Sequence, residues 1–227
     1  MKKIAVIHNN FKEKFAIPRQ SGLSNIKSTI VFEKKYRNKE AFRGLSDFSH
    51  LWLIWEFSKS KREDFSPTVR PPRLGGNKRM GVFATRSPFR PNPIGLSCVK
   101  LENIDFECKD GPVITVSGAD LLDGTPIYDI KPYLPYSDCI KDAVGGFTEA
   151  IAEKPLKVIF KDKFEIEDDV LTELKEVLSY DPRPSYQNDS DRVYAFDFNK
   201  YTVKFTVNEA TLYVAEILEK SEENDKD

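Results

Sequence analysis

The chain has 227 residues, which allow one large domain or a main domain with a smaller one, and 35 Lys and Arg residues balance 36 Asp and Glu residues. The formal net charge of −1 gives no general argument for a nucleic-acid partner, although a balanced total can hide a local basic region. Two histidines outside any HExxH or HxxxH pattern and three cysteines without CxxC spacing argue against a metal site and a disulfide framework.

The N-terminal residues do not show the pattern of a signal peptide, and no apolar run approaches the roughly 20 residues that span a bilayer. We therefore expect a cytoplasmic protein without a membrane segment. The three cysteines are expected to be free thiols, two of them within strands.

Short apolar runs rich in β-branched residues follow one another along the first half of the chain. They are IAVIHN from Ile4, STIVFE from Ser28, HLWLIWEF from His50, MGVFAT from Met80, IGLSCVKL from Ile94 and VITVSGADL from Val113. Because turn residues and not long amphipathic helices separate them, the pattern predicts an antiparallel sheet closed into a barrel or sandwich. One short helix is predicted over NKEAFRGL, with Asn38 as its N-cap and Gly44 near its C-terminal end.

The pattern changes after Gly145 and Gly146, and we place a domain boundary within residues 147–154. Beyond it, LKVIF precedes a helix in EDDVLTELKEVLSYDPRP, which ends at Asp181-Pro182. Its predicted apolar face consists of Leu171, Leu174, Val177 and Leu178. Val193 to Leu218 is predicted to form a three-stranded meander with NK and NE turns. The sequence thus predicts a barrel domain over residues 1–147, a small α+β domain over 155–220 and an acidic tail over 221–227.

The segment GVFATRSPFRPNPIG, from Gly81 to Gly95, combines three prolines with Arg86 and Arg90. It lies in a region between Phe65 and Leu101 that has seven Lys or Arg residues and no Asp or Glu. Prolines restrict the backbone, and guanidinium groups pair with carboxylates or phosphates, so this segment is suited to recognise an anionic ligand.

Three further segments mix a stiff backbone with polar or planar side chains. KEKFAIPRQ contains Arg19 and Gln20; DLLDGTPIYDIKPYLPYSD contains the turn at Asp123-Gly124 and then Asp129, Lys131, Tyr133 and Tyr136; DPRPSYQ contains Arg183, Tyr186 and Gln187. The chain has no GxGxxG, GxxxxGK[ST] or GxSxG motif. Taken singly, the segments have structural explanations as well: Asp129 and Lys131 share one face of a strand and can simply pair, and His50, Trp52 and Trp55 fit a strand that packs into a core.

In this order and spacing, KEKFAIPRQ, LSDFSHLWLI, PTVRPPRLGGNKRMGVFATRSPFRPNPIG, DLLDGTPIYDIKPYLPYSD and DPRPSYQ resemble the TsaA-like (YaeB/TrmO) family over nearly the full chain. The resemblance implies an S-adenosyl-L-methionine-dependent methyltransferase that methylates N6 of threonylcarbamoyladenosine at position 37 of tRNA. It also implies a single-sheeted antiparallel β-barrel for the catalytic domain, and a homodimer.

The resemblance implies a cofactor site for S-adenosyl-L-methionine at Pro18, Arg19, Gln20, Lys59, Ser60, Arg86, Leu96, Leu122, Asp123, Gly124 and Thr125. The residues that we expect to contact tRNA are Arg70, Arg73, Lys78, Arg79, Arg90, Arg183 and Tyr186. Arg90 can serve either a tRNA phosphate or the threonyl carboxylate, and the sequence does not choose between them. For the proton on N6, Asp129 is the candidate base and Tyr133 the alternative.

Two other functions fit parts of the sequence. One is a methyltransferase that uses the same cofactor on a small-molecule acceptor, against which the basic, proline-rich stretch argues. The other is a barrel that binds RNA or a nucleotide without turnover, against which the intact PRQ, ATRS and LDGT segments argue.

Overall fold

The structure, a computed structural model, describes residues 1–60, 64–74, 77–149, 155–183, 187 and 189–220. Strands dominate these residues, and the two α-helices among them are short. The strands are β1 (Ala5–His8), β2 (Lys27–Phe32), β3 (His50–Glu56), β4 (Thr68–Val69), β5 (Met80–Gly81), β6 (Ile94–Asp105), β7 (Val113–Ser117), β8 (Thr125–Pro132), β9 (Lys157–Phe160), β10 (Tyr194–Phe198), β11 (Tyr201–Asn208) and β12 (Thr211–Glu219). The helices are α1 (Pro135–Asp138) and α2 (Asp168–Ser179).

Six strands form a closed antiparallel barrel in the order β1-β2-β7-β6-β3-β8. The short strand β1 closes it, because Ala5 pairs with Phe32 of β2 on one side and with Ile127 of β8 on the other. Alternate side chains point inward, as the two-residue period of a strand requires, and residues such as Leu51 and Leu53 are fully buried. The structure therefore confirms the predicted antiparallel barrel.

Two of the predicted elements differ in form. The run MGVFAT yields only the two residues of β5, which pair with β4 outside the barrel, and the chain then turns through a 3₁₀ helix at Val82–Ala84. The short helix after Asn38 is also a 3₁₀ helix, Lys39–Phe42, and the Asn38 side chain accepts a hydrogen bond from the Glu40 backbone N–H at 3.0 Å. Only Cys98 lies within a strand, and all three cysteines are free.

The C-terminal residues form a four-stranded sheet in the order β10-β11-β12-β9, with β9 parallel to β12. Helix α2 buries Val170, Leu174, Val177 and Leu178; Val170 replaces the predicted Leu171, which is only partly buried. The helix ends at Ser179, and Asp181 then adopts a left-handed conformation with φ 46° before Pro182. The turn between β11 and β12 is Glu209-Ala210, one residue later than predicted.

The described residues form two hydrophobic cores. The first fills the barrel, and the second lies between α2 and the C-terminal sheet and includes N-terminal residues. Phe11, Ala16 and Ile26 are buried together with α2 and the inner face of the C-terminal sheet. Backbone contacts support this packing: Phe11 forms a β-bridge with Phe198, and the Asn199 N–H donates to the Asn10 carbonyl at 3.0 Å. The segment between β1 and β2 is thus held between the barrel and the C-terminal sheet. No helix in the described ranges has the length and apolar character needed to cross a membrane.

Candidate functional site

The segment from Lys14 to Gln20 is fixed at both of its ends by partners far away in sequence. Lys14 Nζ donates to the Lys59 carbonyl at 2.8 Å and to Ser60 Oγ at 3.0 Å, just beyond the end of β3. This contact places Lys59 and Ser60 beside Lys14, four residues before the PRQ motif, and their role in cofactor binding stays a prediction.

Arg19 faces the C-terminal part of the molecule. Its guanidinium donates to the carbonyls of Asp181 at 3.1 Å and Arg183 at 2.8 Å. Burial lowers the pKa of Arg19, although the nearby Asp181 carboxylate acts in the opposite direction. A pocket of about 290 Å³ lies here, lined by residues 14–19 on one side and by Pro72, Val177 and residues 180–183 on the other.

Unlike Arg19, Gln20 contacts the proline-rich loop from Gly81 to Gly95. Its side-chain oxygen accepts a hydrogen bond from the Arg86 guanidinium, although the two residues are 66 positions apart in sequence. Arg86 is otherwise exposed to solvent. The fold therefore joins the PRQ and ATRS motifs at one place and leaves part of a guanidinium available for an anionic group.

A polar network that sequence reasoning missed lies beneath Arg86. The Trp55 indole N–H donates to Ser97 Oγ at 2.9 Å, and Ser97 Oγ donates to Asp120 Oδ1 at 2.5 Å. Burial raises the pKa of Asp120, an effect that the hydrogen bond from Ser97 and the charge of Arg86 partly offset. Ser97 and Asp120 match no motif. The sequence signal that could have pointed to Asp120 is its position two residues before Leu122, the first residue of the LDGT turn.

The turn from Leu122 to Thr125 is attached to the end of β1. The Gly124 N–H donates to the Ile7 carbonyl at 2.9 Å, and Thr125 Oγ1 donates to the Leu122 carbonyl at 2.7 Å. Gly124 has φ 76°, and nothing lies within 4 Å of the place where a Cβ would stand. A glycine is required by this backbone, and the space beside it is open to a ligand.

Asp123 supports the same turn. Its carboxylate accepts hydrogen bonds from Lys12 Nζ at 2.8 Å and the Asn9 backbone N–H at 3.2 Å, and it lies 3.2 Å from His8 Nδ1. Partial burial alone would raise the pKa of Asp123, but these partners together hold it below its ordinary value. The Asp123 side chain therefore serves to hold the turn, so a ligand would meet the turn through its backbone.

Leu96 and Asp129 project from the same outer face of the barrel. Ile54 of β3 pairs with Leu96 of β6 on one side and with Asp129 of β8 on the other, so two strand spacings, about 10 Å, separate their Cα atoms. Leu96 is 57% exposed, unusual for a leucine on a strand. Asp129 forms an ion pair with Lys131 at 3.2 Å, as the strand pattern predicts.

Tyr133 lies beyond the end of β8, beside aromatic residues of β3. Its ring centroid is 5.8 Å from that of Trp52 and 6.2 Å from that of His50. Desolvation and the neighbouring Cys139 and Cys98 raise the pKa of Tyr133. The Tyr133 phenol is therefore less readily ionised than that of a free tyrosine.

The residues expected to contact tRNA divide into two groups. Arg70 and Lys78 are exposed, Arg79 is exposed and donates to Thr68 Oγ1 at 2.7 Å, and Arg90 contacts the Thr85 carbonyl at 3.4 Å. The Arg73 side chain and Tyr186 lie outside the described residues.

Arg183 differs from the exposed phosphate ligand that we expected. It is only 7% exposed, and its guanidinium contacts both oxygens of the Asp181 carboxylate at 2.9 Å. Its NH1 group also donates to the Gln187 carbonyl at 3.3 Å. Direct contact with a phosphate would require Arg183 to leave this ion pair, so the arrangement seen here serves the fold.

Within the described ranges, no group of three or more His, Cys, Asp and Glu side chains is arranged to hold a metal ion. The candidate site consists of an arginine on a stiff loop, an open turn and an exposed apolar strand position, with the Asp129 carboxylate and the Tyr133 phenol farther along the barrel.

Two family models match most of the chain. One, described as the tRNA-methyltransferase O N-terminal domain, matches residues 6–139, and the other, described as the TrmO C-terminal domain, matches residues 153–220.

Named relatives and solved structures agree with these matches. A tRNA (adenine(37)-N6)-methyltransferase from Escherichia coli is 41% identical over 221 residues, 92% of this chain and 93% of that protein. A protein from Pseudomonas aeruginosa that carries the provisional name of an S-adenosylmethionine-dependent methyltransferase is 40% identical over 81% of each chain. A crystal structure of TrmO from P. aeruginosa superimposes with a TM-score of 0.76 at 30% identity, covering 96% of this chain and 95% of that one.

Proposed function

Because this chain belongs to the TrmO family, we propose that it is an S-adenosyl-L-methionine-dependent tRNA methyltransferase that methylates N6 of threonylcarbamoyladenosine at position 37. The observation on which the proposal depends most is the contact between Arg86 and Gln20. It unites the two motifs that the cofactor site needs.

The residues present fit S-adenosyl-L-methionine. The exposed part of the Arg86 guanidinium suits a carboxylate, and the open space at Gly124 gives access to backbone groups of the turn. Leu96 offers an apolar surface to a flat ring. When bound, this cofactor supplies a methyl group on a positively charged sulfur, which is already electrophilic.

The chain then has two tasks, to align the acceptor base with that methyl group and to accept the N6 proton. Pro88, Pro91 and Pro93 stiffen the loop of Arg86, so that little conformational entropy is lost on binding. Asp129 is our proposed base, since its carboxylate is accessible and lies on the barrel face of Leu96. The raised pKa of Tyr133 keeps this phenol protonated at neutral pH, so it is less suited than Asp129 to accept the N6 proton.

The tRNA is proposed to approach along the basic segment, through Arg70, Arg73, Lys78, Arg79 and Arg90. We also propose that the enzyme acts in the cytoplasm and that it is a homodimer. Light scattering of the purified protein measures its oligomeric state.

The test uses purified protein, S-adenosyl-L-methionine and two tRNA pools, one with threonylcarbamoyladenosine and one without it. Nucleoside mass spectrometry after digestion should show one added methyl group on the threonylcarbamoylated nucleoside only. Methylation of unmodified adenosine would contradict the proposed substrate. No methylation in either pool, with calorimetry showing cofactor binding, would favour a small-molecule acceptor, and no cofactor binding would favour the non-catalytic barrel.

A further inference from the structure

Two phenylalanines of the basic segment are exposed and lie against each other. Phe83 is 74% exposed and Phe65 is 53% exposed, and their rings are stacked with centroids 6.3 Å apart and an interplanar angle of 26°. Burial of a phenylalanine side chain stabilises a fold, and Phe83 forgoes most of this contribution. An exposed apolar pair of this kind points to an interaction surface.

The backbone that carries Phe83 is held firmly. Its neighbour Val82 is 1% exposed, and the Val82 N–H donates to the Pro67 carbonyl at 2.9 Å. Thr85 closes the turn, since both its N–H and its Oγ1 donate to the Val82 carbonyl, at 3.1 and 2.8 Å. The ring of Phe83 is therefore presented to solvent by a fixed turn.

The charges around the pair select the kind of partner. Asp64 directly precedes Phe65, but between Phe65 and Leu101 the chain has seven Lys or Arg residues and no acidic residue. Among them, Arg70, Lys78 and Arg79 are exposed. Exposed aromatic rings among cations are the combination with which proteins bind unpaired nucleotides, because the rings stack on bases while the cations contact phosphates.

The position of the pair relates it to the proposed site. Phe83 precedes Arg86 by three residues in the same stiff loop, and Arg86 contacts Gln20 in the proposed cofactor site. A base that stacks on Phe83 would therefore belong to nucleotides close to the one that is methylated.

We propose that Phe65 and Phe83 form a stacking platform for an unpaired base of the tRNA loop, next to the adenosine that receives the methyl group. This inference rests on the proposed function and adds a substrate contact that contributes to tRNA binding without taking part in the transfer. Phe65 supports one side of the platform and Phe83 meets the base.

The experiment compares five proteins: the unchanged chain, Phe83→Ala, Phe83→Trp, Arg79→Ala and the control Leu218→Ala, which removes an exposed apolar side chain from β12. Dissociation constants for threonylcarbamoylated tRNA are measured at several salt concentrations, and the KM for S-adenosyl-L-methionine is measured beside them. Phe83→Ala should bind tRNA about 5- to 100-fold more weakly, while Phe83→Trp should retain binding. The KM for the cofactor and the properties of Leu218→Ala should stay unchanged.

The salt dependence separates stacking from charge. Because a ring releases no counterions, Phe83→Ala should leave the slope of log K against log salt unchanged, whereas Arg79→Ala should reduce it by about 0.7 to 0.9.

Equal tRNA affinity in Phe83→Ala and the unchanged chain would overturn the platform. So would a change of oligomeric state in Phe83→Ala, which would show that a second copy of the chain covers the pair. In both cases methylation by the unchanged chain would leave the proposed function intact. Failure of the unchanged chain to bind or methylate tRNA would instead remove both proposals together.

Discussion

Gly95 permits the network beneath Arg86 to form. It lies opposite Trp55 in the pairing of β3 with β6, and a Cβ at this position would stand 2.2 Å from Cε2 of the indole ring. The indole therefore lies directly over the glycine, where its N–H reaches Ser97.

Gly95→Ala should lower the free energy of unfolding by about 1–3 kcal/mol, because the ring must move and the core has no room for it. Gly81→Ala is the matched control, since nothing lies within 4 Å of its Cβ position and its φ is −57°. This control should leave stability unchanged or raise it by up to about 1 kcal/mol. Urea unfolding of the three proteins measures the difference, and equal midpoints would contradict the argument.

Asp129→Asn should lower kcat for tRNA methylation by about 100- to 10,000-fold if its carboxylate accepts the N6 proton. The dissociation constant for S-adenosyl-L-methionine should not change. Lys131→Gln is the control, because it breaks the ion pair with Asp129 but keeps the carboxylate. An unchanged kcat in Asp129→Asn would show that Asp129 does not accept the N6 proton.

At this scale the sequence predicted residues in motifs better than residues outside them. Arg86 and Gln20 were identified from their motifs, and the structure brings them together. Asp120 and Ser97 were missed, because their importance comes from burial and from a partner across the barrel, and neither is visible in a linear sequence. Arg183 was predicted to contact tRNA from its place in the DPRPSYQ motif, but it is buried and paired with Asp181.

At the scale of elements, a set of charges joins α2 to the turn after β10. The Glu167 carboxylate, at the start of α2, accepts a hydrogen bond from Tyr201 Oη at 2.7 Å and lies 3.1 Å from Lys200 Nζ. The hydrogen bonds from Tyr201 and the Glu167 backbone, with the contribution of Lys200, lower the pKa of Glu167 from 4.5 to about 2.

This lowered pKa predicts a pH dependence. Folding favours the ionised form of Glu167, so its contribution to stability is fully present above pH 4.5 and is lost as the pH falls through about 2. Glu167→Gln should therefore reduce the loss of stability on acidification, measured as urea midpoints between pH 7 and pH 2.5. Glu165→Gln removes the same charge two residues away and should behave like the unchanged chain. An unchanged pH profile in Glu167→Gln would contradict the prediction.

Most strands and α2 could be predicted because their hydrophobic periods are clear. The small pairing of β4 with β5 could not, since two-residue strands have no period of their own. The 3₁₀ form of the helix after Asn38 was also invisible, because its cap and glycine signals are those of an α-helix as well. Strand order and register depend on contacts between distant residues, such as Ala5 with Ile127, and came only from the structure.

At the scale of the whole molecule, the second core joins the two predicted domains. Phe11, Ala16 and Ile26 are buried against residues that come more than 140 positions later. The predicted boundaries at residues 147 and 155 stay a prediction, but the shared core indicates that the two parts support each other.

Phe198→Ala tests this coupling. Removal of this fully buried ring should lower stability by about 3–5 kcal/mol. Both tryptophans, Trp52 and Trp55, lie in β3 of the barrel, so their fluorescence reports the barrel, while circular dichroism at 222 nm reports α2. Both unfolding transitions should move together in the variant. A tryptophan transition that stays in place would show that the barrel unfolds independently.

The closure of the barrel by β1 also sets an order of events during synthesis on the ribosome. His8 meets Asp123 across 115 residues, and Arg19 meets the carbonyl of Asp181 across 162. The ribosome therefore synthesises β1 long before its partner β8. Arg19 of the PRQ motif cannot form its contact with Asp181 until most of the protein has been made. Chains translated only halfway lack the turn at residues 122–125 and cannot assemble the proposed methyl-donor site, so cofactor binding must follow the synthesis of that turn.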